Sequence, residues 1–349
     1  MFQTSVINKE FTKYTNISIG KVYDISINYN KTKERYKVFA ENENISIFMQ
    51  PWWLDIVCSL SGMKWNVILY EKGGHIWGSF IYTYKKKIGF NLIMPPELTP
   101  LSGPYIKYPE GQRVSKKLSW EKEIMSYFIN NLPKFDKFAI YFNHSFKNWL
   151  PFYWKGFKQT TKYTYIIKDL NNLDAVYSNF EPMARNNIKR ALKNGIEVID
   201  SEDIDALYEV NKITFEMQNV KIPYSLEYLK ALYAKAKEKN SVIIKFAKKD
   251  NKVYSVMMGV YDKNTLYILL AGSDRRIKSN FGSEYLLFWE MMKFASKRGL
   301  SYDFEGSVIE GVEKRNRSFG ATPKQYFKIT KTPNKILKAK ELISQFWEC

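Results

Sequence analysis

One pattern, met twice, limits this chain more than any other feature. Three runs rich in Ile, Val, Tyr and Phe follow one another across tight turns at residues 66–71, 75–84 and 88–94. Lys72-Gly73-Gly74 and then a lysine turn separate them. Runs of this kind, bounded by turn chemistry, read as a β-meander. A Pro- and Gly-containing loop (95–109), a helical stretch (116–130) and a strand (138–142) complete the unit. The same order returns as runs at 242–247, 253–261 and 265–271, then a loop, a helix over 283–298 and a strand over 301–304. Corresponding meander strands lie about 176 residues apart, so a duplicated α/β unit is the economical reading. Each copy is expected to build its own mixed sheet.

Helices are expected ahead of each meander, at 52–61 in the first copy and at 204–217 and 226–239 in the second, with a short strand at Val198-Ile199. The chain then divides into an appendage with a first helix (1–44), a first domain (45–165), a second domain (166–335) and a C-terminal helix or tail (336–349).

With 349 residues, 45% of them apolar, the chain has ample material for a core. No apolar run approaches the roughly 18 residues that span a bilayer, and residues 1–6 lack a basic-then-apolar leader pattern. Cys58 and Cys349 are the only cysteines, which excludes a disulfide framework. Two cysteines and two histidines argue against a structural zinc site. A cytoplasmic protein with no metal and no stable membrane insertion is expected. The net charge of +19 comes from 54 Lys and Arg against 35 Asp and Glu, spread along the chain. It fits either a lysine-rich solvated surface or an anionic partner. Oligomeric state is not encoded legibly.

The chemistry concentrates in three segments. Residues 274–283 form a basic, glycine-containing loop that opens a helix, an arrangement suited to a phosphate. The helix stripe Tyr285, Phe288, Trp289, Met292 and Ala295 is core. After it, Asp303-Phe304-Glu305-Gly306-Ser307 ends a strand in two carboxylates, which would share one face if the strand continued. The basic run 314–317 follows, then a glycine turn and the strand-like run 325–329. Upstream, Arg185, Lys189 and Lys193 at four-residue spacing give one helix a basic face, with Pro182 suited to its first turn and Gly195 to its end. His75 and His144 have no nucleophile at recognisable spacing, and Cys58 reads as a buried small hydrophobe.

Strand, two helices, meander, phosphate-type loop, helix and strand together resemble the GNAT acyltransferase fold. Two fused copies resemble the Fem family of peptidoglycan-bridge aminoacyltransferases and their acetyltransferase-like relatives. Residues 185–196, Asn280-Phe281-Gly282-Ser283, and 303–307 with Ser318-Phe319-Gly320-Ala321 carry the resemblance. Residues 51–55 and 98–104 also look like segments of such proteins. The resemblance implies two tandem GNAT-like domains of the α/β (α+β) class, each a mixed, mainly antiparallel sheet flanked by helices. It implies an acyltransferase with acyl-CoA as co-substrate, no tightly bound cofactor, and an amine acceptor such as an amino sugar or cell-envelope precursor. Donor contacts then fall to Arg276, Lys278, Asn280, Phe281, Gly282 and Ser283 at an unblocked helix start. Acceptor contacts fall to Arg185, Lys189, Arg315 and Arg317. Glu305 is the candidate general base, and Asp303 its neighbour.

Family members often carry Phe-Lys just before the final x-x-Phe-Gly; here Arg315 and Asn316 stand there. No heptad insertion of the kind associated with tRNA is present either. Aminoacyl-tRNA is therefore the alternative donor, with a peptidoglycan precursor as acceptor. A catalytically degenerate binding module is a further alternative.

Overall fold

Proline and turn residues set the element boundaries in both halves. The computed structural model describes residues 29–347, save 218, 275, 278 and 307. The first half runs α1 (Tyr29–Asn42), α2 (Pro51–Leu60), β1 (Lys64–Lys72), β2 (His75–Lys87), β3 (Phe90–Ile93), β4 (Gly103–Ile106), α3 (Val114–Asn130), β5 (Lys137–Tyr141), α4 (Leu150–Tyr153) and β6 (Lys158–Ile167). The second runs α5 (Leu173–Ser178), α6 (Pro182–Lys193), β7 (Glu197–Asp200), α7 (Ile204–Glu216), α8 (Leu226–Glu238), β8 (Val242–Lys249), β9 (Lys252–Tyr261), β10 (Thr265–Ser273), α9 (Ser283–Lys297), β11 (Ser301–Asp303), α10 (Glu310–Ser318), β12 (Thr322–Lys331) and α11 (Lys335–Trp347). Pro51 and Pro182 open α2 and α6, where a missing N–H costs nothing. Asp203 and Ser225 cap α7 and α8 through their side chains.

Two separate sheets are expected; the strands instead form one twelve-stranded sheet. Its order is β1-β2-β3-β5-β12-β6-β11-β10-β9-β8-β7, with β4 on β2. The reason is an exchange of closing strands. β12, from the end of the second half, pairs with β5 of the first. β6, from the end of the first half, pairs with β11 of the second. β6 and β12 also pair with each other over nine positions, from Thr322↔Ile166 to Thr330↔Lys158. Each half thus supplies the strand that covers the other's open edge.

Strand alternation sends side chains to two layers. On one face, β1 residues Trp65, Val67 and Leu69 join β9 residues Val256, Met258 and Val260 in a single core shared by both halves. Tyr36 of α1, Trp53 of α2 and Leu229 of α8 close it, and the Phe48 ring meets Tyr267 at 5.0 Å. On the other face α6 and α9 cover the second half, and α3 and α4 the first, as two separate cores. Among the described residues no helix is long and apolar enough to cross a membrane.

Two elements absent from the sequence reading bear on the site. The basic run at 314–317 is the body of α10, a helix. The loop after β3 contains the strand β4.

Candidate functional site

The second half opens where its parallel strands part. β10 and β11 pair only from Thr265↔Ser301 to Tyr267↔Asp303. Beyond that point β10 runs on to Ser273 with β9 as its ladder partner. A bulge between Ile268 and Leu270 bends it there, the kind of irregularity that re-aims backbone and side chains. The first-half loop following β3 lies over the opening. Pro96, Leu98, Thr99 and Pro100 from that loop, with Leu269 and Glu305, line a cavity of about 260 Å³. The site therefore sits between the copies.

The first half has the same parting, and it is filled. β3 and β5 pair over Leu92↔Lys137 and Ile93↔Phe138. β4 then takes the next stretch of β2, from Gly78↔Ile106 to Ile81↔Gly103. The Ser102 N–H donates to the Tyr141 carbonyl at 2.8 Å. Gly103 has φ +100°, and a Cβ there would stand 2.8 Å from the Phe142 ring. Only glycine fits so close an approach at that dihedral.

In the open half, the strand carrying the carboxylates stops at Asp303, so the expected shared strand face becomes a turn. Glu305 has φ +58°, the left-handed region, where a non-glycine residue is strained. Gly306 follows because a Cβ would lie 2.8 Å from the Tyr326 hydroxyl and closer still to the Tyr163 carbonyl. The turn folds the two carboxyls toward each other. Asp303 is buried, and its Oδ1 accepts the Thr164 hydroxyl and, at 2.9 Å, the Glu305 N–H. Oε1 of Glu305 is buried with no hydrogen-bond partner among the described residues. Burial pushes Asp303 up to about 6, against the hydrogen bonds it accepts. Burial, and then the neighbouring Asp303 charge, raise Glu305 well above the usual carboxylate range. Such a pair shares protons rather than ionising twice.

The loop before α9 differs from a free phosphate cradle. Arg276 makes a fork to its own neighbour Asp274, with Nε–Oδ1 at 2.9 Å and Nη2–Oδ2 at 2.7 Å. Lys278 lies outside the described residues. Asn280 accepts the Gly282 N–H at 3.1 Å through its side chain and the Ser283 N–H at 2.8 Å through its carbonyl. Ser283 is buried, and its hydroxyl bonds Ser255 at 2.6 Å. Phe281 packs its ring beside Tyr254, centroids 6.0 Å apart. Gly282 has φ +84°, and a Cβ would fall 2.8 Å from the Asn187 carbonyl carbon of α6. That glycine is explained by the contact between α6 and α9. Asn280 takes the Gly282 and Ser283 N–H groups, and no side chain caps the start of α9.

The basic residues expected to hold an acceptor are mostly tied inside the fold. Arg185 donates to the carbonyls of Phe180 and, at 3.0 Å, Ser178 at the end of α5, as a basic side chain does at a helix C-terminus. Arg315 pairs with Glu284, holds Asn316 Oδ1, and lies 4.6 Å over the Phe288 ring. Arg317 bridges Glu181 at 3.0 Å and Glu313 at 3.1 Å. Lys189 stays exposed on α6. Burial, then Lys147 and Lys324, lower His144 below the usual imidazole range.

The sequence reading missed Thr164, the Leu269 bulge and the closing loop 96–100 as parts of one site. Thr164 and Asp303 are distant in sequence, and only strand exchange brings them together.

Two meander–helix–strand units, joined by exchanged strands and open at one wedge, define a duplicated GNAT-type fold of the Fem-like kind. Residues 182–313 match the family of acetyltransferase (GNAT) domains, so the second half carries such a domain. A crystal structure of FemX is similar over 88% of this chain and 97% of its own, with TM-score 0.64 and 16% identity. L-PGS from Bacillus licheniformis is similar over 89% of this chain and 96% of its own, with TM-score 0.51 and 12% identity. At such identities the likeness is one of fold. No curated protein matches this chain.

Proposed function

We propose that this chain is an N-acyltransferase that moves an acyl group from an activated donor to an amine at the wedge between its halves. The observation that carries the reading is the unpartnered Glu305 carboxyl oxygen at the mouth of the parted strands β10 and β11, inside a GNAT-type domain. The amine nitrogen attacks the acyl carbonyl carbon, the bond to the leaving oxygen or sulfur breaks, and the amine proton passes to Glu305. Backbone N–H groups around the Leu269 bulge receive the developing oxyanion. Thr164 holds Asp303, and Asp303 keeps the Glu305 backbone in its turn. No covalent enzyme intermediate is required.

The donor is the open half of this reading. An acyl-CoA donor would set its pyrophosphate at the start of α9, where Asn280 already takes the Gly282 and Ser283 N–H groups. An aminoacyl ester of tRNA keeps its phosphates elsewhere, and the +19 charge suits it. That observation favours the ester donor, with an amino sugar or cell-envelope precursor as acceptor. The test is a transfer assay with acetyl-CoA, longer acyl-CoAs and aminoacyl-tRNA, each at several salt concentrations. A steep loss of binding with salt and transfer from aminoacyl-tRNA support the ester. Transfer from acyl-CoA at a shallow salt slope would return the donor to coenzyme. No transfer from any donor to any amine overturns the enzyme reading.

A further inference from the structure

A second pocket, of about 310 Å³, adjoins the opening at Glu305 at Pro100. Pro100 lines both cavities, and Gly306 of the second follows Glu305 of the first directly in the chain. Tyr141, Tyr163 and Tyr326 supply aromatic walls, and Val308 and Ile309 the lip. Lys162 is the one cation among the lining residues. It stands on β6 directly across from Tyr326 on β12, so both side chains leave the same face of the ribbon. Thr164, which holds Asp303, is two residues along on that face.

The charge at this place is unbalanced. Lys162 is half-buried and makes no ion pair among the described residues. Lys324 and Lys328 flank Tyr326 on the same face, and the Lys328 ammonium lies 5.6 Å from the Tyr141 ring. Elsewhere the fold ties its arginines to acids, as at Arg315 and Arg317. A half-buried ammonium in a tyrosine-lined pocket, with no ion pair among the described residues, is a ready partner for an anion.

We propose that this pocket anchors the acceptor through an oxyanion group, so that the acceptor is an amine carrying a carboxylate or a phosphate on a body that stacks against tyrosine. Lys162 meets the anion, the tyrosines hold the body, and the amine reaches back past Gly306 to Glu305. The proposal rests on the N-acyltransferase reading for the direction of the amine, while the anion preference of the pocket stands on Lys162 and the lining alone. A neutral amine would leave the ammonium unmet, so the pocket selects by charge as well as by shape.

Calorimetry on the full chain tests it with two pairs of probes: glucosamine 6-phosphate against glucosamine, and alanine against alaninamide. The phosphate and carboxylate arms distinguish the two anions. The expected result is at least tenfold tighter binding of one anionic member than of its neutral partner. Lys162→Gln should remove that preference, and Lys162→Arg should keep most of it. Lys116→Gln, an exposed site on α3 that loses the same charge, should change nothing. Thermal melting checks that each variant is folded. No preference for either anionic member, or a preference that survives Lys162→Gln, overturns the proposal. Turnover is read separately with the donor panel. A charge preference without acyl transfer would remove the enzyme reading and leave the pocket's assignment in place.

Discussion

At the scale of single residues, the decisive group is a carboxyl that folding has made costly to ionise. Asp303 and Glu305 both titrate above their ordinary range, chiefly through burial. The sign follows by linkage: the unfolded chain releases these protons first, so the fold loses stability as pH rises from about 4 through the raised values. Glu305→Gln removes one member of the pair and its repulsion on the other. Its melting temperature relative to the parent should therefore rise between pH 4.5 and pH 8, as read by calorimetric scans at both pH values. Turnover of the same variant should fall roughly 10²-fold if the carboxylate takes the proton. The parent's rate should climb with pH across the pair's ionisation, with its acidic limb displaced upward from the carboxylate range. A flat profile in the parent would assign Glu305 to structure alone. The sequence exposed this pair because two acids and a glycine at a strand end are an unusual local choice. It hid Thr164, whose hydroxyl is one of several along β6 and gains meaning only from the pairing of β6 with β11.

At the scale of elements, the meanders, α3 and α9 were legible because their apolar periods and turn residues are local signals. β4 was not: Gly103-Pro104-Tyr105-Ile106 is too short for a period, and its strand character comes from the vacant edge of β2. α10 was not either, since its run of charges carries no apolar period that would announce a helix. The glycine before α9 illustrates a further limit. Gly282 announces close approach, but sequence cannot say whether the visitor is a phosphate or a helix. Its contact with Asn187 predicts that Gly282→Ala destabilises the fold by about 1–3 kcal/mol, from overpacking and an unfavourable dihedral together. Denaturant titration measures this. An unchanged midpoint with lost donor affinity would instead return the glycine to the donor.

At the scale of the whole molecule, duplication was legible and fusion was not. The repeat gives two copies of one unit, and either self-closure or exchange satisfies the same pattern of strands. Exchange wins here with β12 on β5 and β6 on β11, and the core around Phe48 and Tyr267 then spans both halves. The halves should consequently unfold as one. Fluorine-labelled tryptophan separates Trp289 in α9 from Trp53 and Trp120 in the first half. Their transitions in urea should share a midpoint, and two resolved midpoints would mean that the exchanged strands do not bind the halves into a single cooperative unit.

The exchanged strands also fix an order of birth. A ribosome finishes β5 and then makes roughly 180 further residues before β12 emerges, which takes on the order of 10–40 s at ordinary synthesis rates. Throughout that interval the β5 edge lacks its native partner. Until β12 arrives any closure of β5 is provisional, and a chain cut before Thr322 leaves the exchange half made.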